Sequence, residues 1–211
     1  MQHKFFLFDF DYTLANSEVG IVKCFELLME QEHYPIRPYD EIKRTIGMPM
    51  TEALSVLLGE TDEQLLLELC RKYTVFADKY MTDNTKLYPP VISMLEKIKA
   101  NGGRAAIIST KTRRRIMQTL TRDKVTDLID FVIGVEDVST YKPSPEGILT
   151  AIKRFNGDKK SSVYIGDNII DAKAAQNAGI DFIAVLTGNN TREEFNKLPH
   201  LKIIDNLSQL F

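Results

Sequence analysis

Asp9 and Asp11 stand two residues apart at the end of an apolar run, Phe5-Phe6-Leu7-Phe8, in which only Phe10 separates them. Two acids this close in an apolar frame are costly unless a divalent cation or a shared proton offsets them. Asp-x-Asp by itself also begins ordinary turns. An EF-hand loop is excluded, because its sixth position would be Leu14 rather than Gly and its twelfth Gly20 rather than Glu. Three further apolar runs end in polar groups: Ser109 and Thr110, Glu136 and Asp137, and Asp167. In Gly166-Asp167-Asn168-Ile169-Ile170-Asp171 a second acid follows four residues after the first, a spacing that points both carboxylates to one side. Acids also cap helix N-termini, so this pair has a plain structural reading as well. Taken with Asp9 and Asp11, it favours a metal site. Oxygen-only ligands suit Mg²⁺ rather than Zn²⁺, and no cluster of His and Cys competes.

The elements that must position these groups are legible in outline. The run from Lys4 to Phe10 reads as a fully buried strand, and open α/β sheets bind ligands at the carboxyl ends of their strands. From Ala15 to Leu87 no strand is expected. Helices are expected over residues 16 to 33, 39 to 46, 51 to 58 and from a Thr61/Gln64 capping box to about 81. Pro35, Pro38 and the Gly47-Met48-Pro49 break separate them. After Leu87, strands near 104 to 110, 131 to 135, 162 to 167 and 181 to 186 alternate with helices. One helix is expected to open with Ser144 as cap and Pro145 in its first position, another with a Thr191/Glu194 capping box, and 202 to 204 reads as an edge strand. This alternation predicts an α/β fold, a doubly wound parallel sheet, formed by residues 1 to 14 and 88 to 211, with residues 15 to 87 inserted as an α-helical cap domain.

Bulk properties exclude several classes. The chain has 211 residues, 44% hydrophobic and 27% charged, with a net charge of -2. Nothing electrostatic points to nucleic acid or a membrane as main partner. Arg113-Arg114-Arg115 is short and reads as a solvated helix face. Cys24 and Cys70 form no Cys-x-x-Cys, which fits a reduced, cytoplasmic setting. No signal peptide and no membrane-spanning stretch is apparent.

Asp9-x-Asp11-x-Thr13, Ser109/Thr110, Lys142-Pro143 and Gly166-Asp167-x-x-x-Asp171 together resemble the four ordered motifs of the haloacid dehalogenase-like (HAD) hydrolase superfamily. The likeness spans nearly the whole chain, and the helical insertion is similar to the C1 cap of the phosphoglycolate phosphatase and β-phosphoglucomutase group. The resemblance implies a Mg²⁺-dependent phosphatase acting on a small phosphorylated metabolite as monomer or homodimer. Asp9 would be the nucleophile, forming an aspartyl-phosphate, and Asp11 the general acid and then base. Thr13 would orient the loop and contact phosphate, Ser109 or Thr110 would hold the phosphoryl group, and Lys142 would balance its charge. Asp9, the Asp11 carbonyl, Asp167 and Asp171 would hold the metal. Tyr12, Arg44, Gly47, Met48 and Arg113 are candidates for substrate selection.

Two departures stand out: Tyr12 where many relatives have Gly, and Thr110-Lys111 where many have Asn after the hydroxyl. True dehalogenases of this superfamily lack an acid at the position of Asp11, so ester hydrolysis is preferred over carbon–halogen cleavage. A sugar phosphomutase on the same scaffold is the near alternative. A non-catalytic phosphoacceptor or binding module, in the manner of a receiver domain, is the alternative of another class.

Overall fold

The computed structural model describes residues 3–211, and the chain divides into two compact units, Met1–Ala15 with Leu87–Phe211, and Asn16–Lys86. The first unit is built on a six-stranded sheet whose pairings are all parallel. With β2 (Ala15–Asn16) and β3 (Lys86–Leu87) set aside, its strands are β1 (Phe5–Phe8), β4 (Arg104–Ile108), β5 (Phe131–Ile133), β6 (Ser162–Gly166), β7 (Asp181–Val185) and β8 (Lys202–Ile204). Their order is β5-β4-β1-β6-β7-β8. Counted along the sheet's own strands this is 3-2-1-4-5-6, the doubly wound order, with its switch point between β1 and β6.

Alternation along each strand explains the layers. Phe6 and Phe8 of β1 point to one face, with Ala105, Ile107 and Ile165. There they meet Val91, Leu95 and Ile98 of α5 (Val91–Ala100) and Ile116 and Leu120 of α6 (Arg113–Arg122). Phe5 and Leu7 point to the other face. There they meet Ile148, Ile152 and Phe155 from α7 (Glu146–Arg154) and its cap, and the alanines of α8 (Ile169–Ala178). A strand buried on both faces has no polar side to alternate with, hence the unbroken FFLF.

The second unit is helical: α1 (Glu18–Gln31), α2 (Tyr39–Arg44), α3 (Met50–Leu58) and α4 (Glu63–Tyr80). Phe25 of α1 packs on Tyr73 of α4 with ring centroids 4.8 Å apart. Gly20 brings the α1 backbone close to the end of α4, since a Cβ there would lie 3.1 Å from Asn84 Cβ. Gly59 stops α3 at φ 75°, in the left-handed region.

The structure corrects three local expectations. Short strands do occur at Ala15–Asn16 and Lys86–Leu87, at the limits of the stretch read as strand-free. Asp62, not Thr61, caps α4, accepting the Leu65 N–H at 2.9 Å; a carboxylate at the helix start also meets the positive end of its dipole. Pro145 takes the cap position of α7 instead of its first turn, and the Ser144 hydroxyl accepts the Glu146 N–H at 3.3 Å. The Thr191/Glu194 capping box and the β8 edge strand are present as read. No helix among the described residues is long and apolar enough to cross a membrane.

Phe8 is fully buried at the centre of the sheet, one residue before Asp9. Phe8→Ala should lower unfolding stability by about 4 kcal/mol, the range for emptying a buried aromatic site, measured by denaturant titration.

Candidate active site

The sheet edge gathers the candidate residues because parallel strands end together. Phe8 pairs with Ile107 and Ile165, which sets Asp9 level with Ile108 and Gly166, and Ser109 and Asp167 follow one residue further along the same edge. The Asp9 N–H still donates to the Ile165 carbonyl at 2.9 Å, which ties the start of the turn to β6. The turn that follows is tight. The Thr13, Leu14 and Ala15 N–H groups all point to the Phe10 carbonyl, at 3.3, 2.9 and 2.9 Å. Tyr12 sits at φ 61° within it, a conformation that glycine adopts without cost and tyrosine does not. The Thr187 hydroxyl donates to the Tyr12 carbonyl.

Asp9, Asp167 and Asp171 are all buried, and an oxygen of each lies within 4.8 Å of the others. Lys142 Nζ is the cation among them, 2.6 Å from Asp171 Oδ1 and 3.0 Å from Asp9 Oδ1. Despite that contact, Asp9 Oδ1 is buried without a hydrogen bond of acceptable geometry. Asp171 also holds the start of α8: its Oδ2 accepts the Asn168 N–H at 3.0 Å, while the Asn168 side chain accepts the Ile170 N–H at 3.1 Å. The capping and metal readings of this acid are therefore both compatible with its position. Tyr164, fully buried on β6, places its hydroxyl 3.3 Å from both Lys142 Nζ and Asp171 Oδ1 and donates to the Ile108 carbonyl at 3.0 Å.

Burial dominates the electrostatics. It raises the Asp9 carboxyl to about 6; Lys142 pulls it down, and the charges of Asp171 and Asp11 push it up. Burial, then the charges of Asp171 and Asp9, hold Asp167 well above the usual carboxylate range. Burial also works against the charge of Lys142, but Asp171 and Asp9 outweigh it and hold the ammonium well above its ordinary value. One lysine does not neutralise three buried carboxylates. The donor set, all oxygen and in negative excess, with one orphaned oxygen on Asp9, fits a divalent cation of the Mg²⁺ type. Two glycines make room for the carboxylates themselves. A Cβ on Gly188 would lie 1.9 Å from Asp167 Oδ2, and one on Gly166 would lie 2.5 Å from Asp171 Oδ2.

Several predicted residues lie elsewhere in the arrangement. The Asp11 side chain is outside the three-carboxylate group; Lys111 Nζ grips it at 2.9 and 3.1 Å. The Thr13 hydroxyl donates to Asp167 Oδ1 at 2.9 Å, so it orients a carboxylate. Ser109 is buried at the end of β4, and Thr110 follows half-buried. Glu136 and Asp137 do not join the acids. Glu136 accepts the Arg113 N–H at 3.0 and 3.1 Å, and Asp137 pairs with Arg113 Nη1 at 3.0 Å. The candidate Arg113 is thus partnered by a structural acid. Arg44, Gly47 and Met48 belong to the helical unit, where Arg44 is exposed in the last turn of α2 and Gly47 turns the chain at φ 100°. Lys111, Tyr164 and Gly188 were not singled out by the sequence as site residues. For Lys111 a signal existed: a lysine directly after two hydroxyls at a strand end. Tyr164 reads as one more apolar strand residue.

The family model described as haloacid dehalogenase-like hydrolase matches residues 6–185. The phosphoglycolate phosphatase of Rhodobacter capsulatus is 30% identical over 97% of this chain and 93% of its own. The pyrophosphatase PpaX of Bacillus cereus is 29% identical over 85% of this chain and 81% of its own. A solved structure from Bacteroides fragilis, described as haloacid dehalogenase-like, superposes with a TM-score of 0.96 at 43% identity, over 99% of this chain and 100% of that one.

Because Asp9 binds a proton more tightly folded than unfolded, its contribution to stability is complete below the ordinary carboxylate range. It is lost as pH rises through about 6. In the presence of a chelator, Asp9→Asn should therefore be more stable than the wild type by about 3 kcal/mol at pH 7.5. The difference should vanish near pH 3, where Asp9 is neutral in both the folded and the unfolded state. Denaturant titration of both proteins at the two pH values checks this.

Proposed function

The chain belongs to the haloacid dehalogenase-like hydrolase family, and from that premise we propose that this phosphatase hydrolyses a small-metabolite phosphate monoester through an aspartyl-phosphate on Asp9. The observation that carries the reading is Asp9 itself. It is a buried carboxylate at the switch point of the sheet, with one oxygen lacking a hydrogen bond and Lys142 at 3.0 Å.

In the first step an Asp9 oxygen attacks phosphorus, the bond to the leaving oxygen breaks, and Asp11 protonates that oxygen. In the second, Asp11 takes a proton from water as the water oxygen attacks phosphorus and the Asp9–phosphorus bond breaks. Ser109 and Thr110 are assigned to the phosphoryl oxygens. Lys142, already paired with Asp9 and Asp171, limits repulsion between the nucleophile and the incoming anion. Thr13 keeps Asp167 in place. Mg²⁺ held by Asp9, Asp167, Asp171 and the Asp11 carbonyl would supply positive charge against the phosphoryl oxygens. The helical unit, with Arg44, Gly47 and Met48, is assigned substrate selection on the strength of the family resemblance. Phosphoglycolate and inorganic pyrophosphate head the substrate panel, because relatives over most of the chain carry those names.

Hydrolysis of p-nitrophenyl phosphate tests the reading. The wild type should turn it over with Mg²⁺ and lose activity with a chelator, and Asp9→Asn should lose at least about 10³-fold, as expected for removal of a nucleophile. Full activity of Asp9→Asn would remove the proposed intermediate.

A further inference from the structure

Lys111 is the cation in the site that the proposed reaction does not use. Its Nζ lies 2.9 Å from one Asp11 oxygen and 3.1 Å from the other, and both side chains are about nine-tenths buried. The backbone of Lys111 is itself tethered. Its N–H donates to Ser109 Oγ at 3.3 Å, and its carbonyl accepts the Val135 N–H at 3.2 Å. The turn that carries Ser109 and Thr110 thus also aims a lysine at the second aspartate of the β1 turn. The two lysines divide three of the four acids between them, Lys142 taking Asp9 and Asp171 and Lys111 taking Asp11.

A carboxylate rotates readily about its last bond unless something holds both oxygens. Proton delivery is sensitive to placement, because donor and acceptor must meet within hydrogen-bond reach. From this two-oxygen grip on a tethered turn, we propose that Lys111 is the positioning residue for Asp11 and fixes the place from which Asp11 protonates the leaving oxygen. The inference rests on the reading of Asp11 as proton donor. A plain structural ion pair would hold the two turns together and nothing more. A lysine that only favours the charged carboxylate would hinder proton donation rather than help it.

These differ in one measurable respect. An aryl ester such as p-nitrophenyl phosphate leaves as a stable anion and needs little protonation, whereas an alkyl phosphate needs the acid. The kcat/KM values report the steps up to departure of the alcohol or phenol, so the alkyl-to-aryl ratio of kcat/KM isolates proton delivery. That ratio is read within each preparation, so partial loss of folded protein cancels. It should fall at least about tenfold in Lys111→Met, in the same direction as in Asp11→Asn, where a general acid is worth about 10²–10⁴-fold. Lys111→Gln serves as the second variant where methionine yields no folded protein. A ratio unchanged or increased by the Lys111 substitutions, with Asp11→Asn lowering it, overturns the inference and leaves the reading of Asp11 standing. A ratio unchanged in Asp11→Asn overturns both, and a wild type inactive on both esters removes the reading of the site from which they start.

Discussion

Three carboxylates buried within 4.8 Å of one another, Asp9, Asp167 and Asp171, set the terms for everything near the carboxyl edge of the sheet. Like charges withdrawn from water repel strongly, and the protein answers with a single ammonium, Lys142, seated between two of them. Tyr164 and Thr13 steady the group with hydroxyls, and Gly166 and Gly188 leave it space that any side chain would occupy. The residual negative charge makes the site receptive to a divalent cation. The Asp9 oxygen without a hydrogen bond is the one that faces the Lys142 ammonium at 3.0 Å.

Such a cluster can persist because rigid, unrelated parts of the structure hold its members. Asp9 leaves a strand buried on both faces and anchored by phenylalanines. Asp171 closes a reciprocal cap at the start of α8, so moving it would also unfasten the helix. Lys142 arrives from the segment before α7, and Tyr164 is locked into β6 by the Ile108 carbonyl of β4. Residues that build the fold and residues that build the site are in several cases the same residues. Charge repulsion is therefore sustained by packing and helix capping that the surrounding structure requires anyway.

Lys111 shows a second level of the same economy. The tight turn after Asp9, with Tyr12 forced into the left-handed region, directs Asp11 away from the other acids and toward a lysine on the next strand's turn. The first and second aspartates of the motif thus occupy different electrostatic settings although one residue separates them. Two carboxylates with two environments suit two chemical roles, one as nucleophile and one as proton carrier.

Much of this was legible in the amino-acid order. The buried run into Asp9, the alternation of strands and helices after residue 87 and the Thr191/Glu194 box are local patterns that reflect periodicity and turn chemistry, and the ordered motifs at Asp9, Ser109, Lys142 and Asp167 carried the family resemblance along the chain. From them the parallel α/β class follows, because polar groups ending several apolar runs make sense only on a common edge. Tertiary structure alone decided which acids converge. Glu136 and Asp137 follow an apolar run in sequence as the others do, yet they fall in a 3-10 turn past the end of β5 at Ile133, where Arg113 and the Gly134 N–H claim them. The pairing of Lys111 with Asp11 spans 100 residues, and Tyr164 beneath Lys142 reads in sequence as one more apolar strand residue. Sequence spacing constrains direction along one element, whereas the choice of partner depends on strand order and register, which place residues from distant segments within 3 Å of one another.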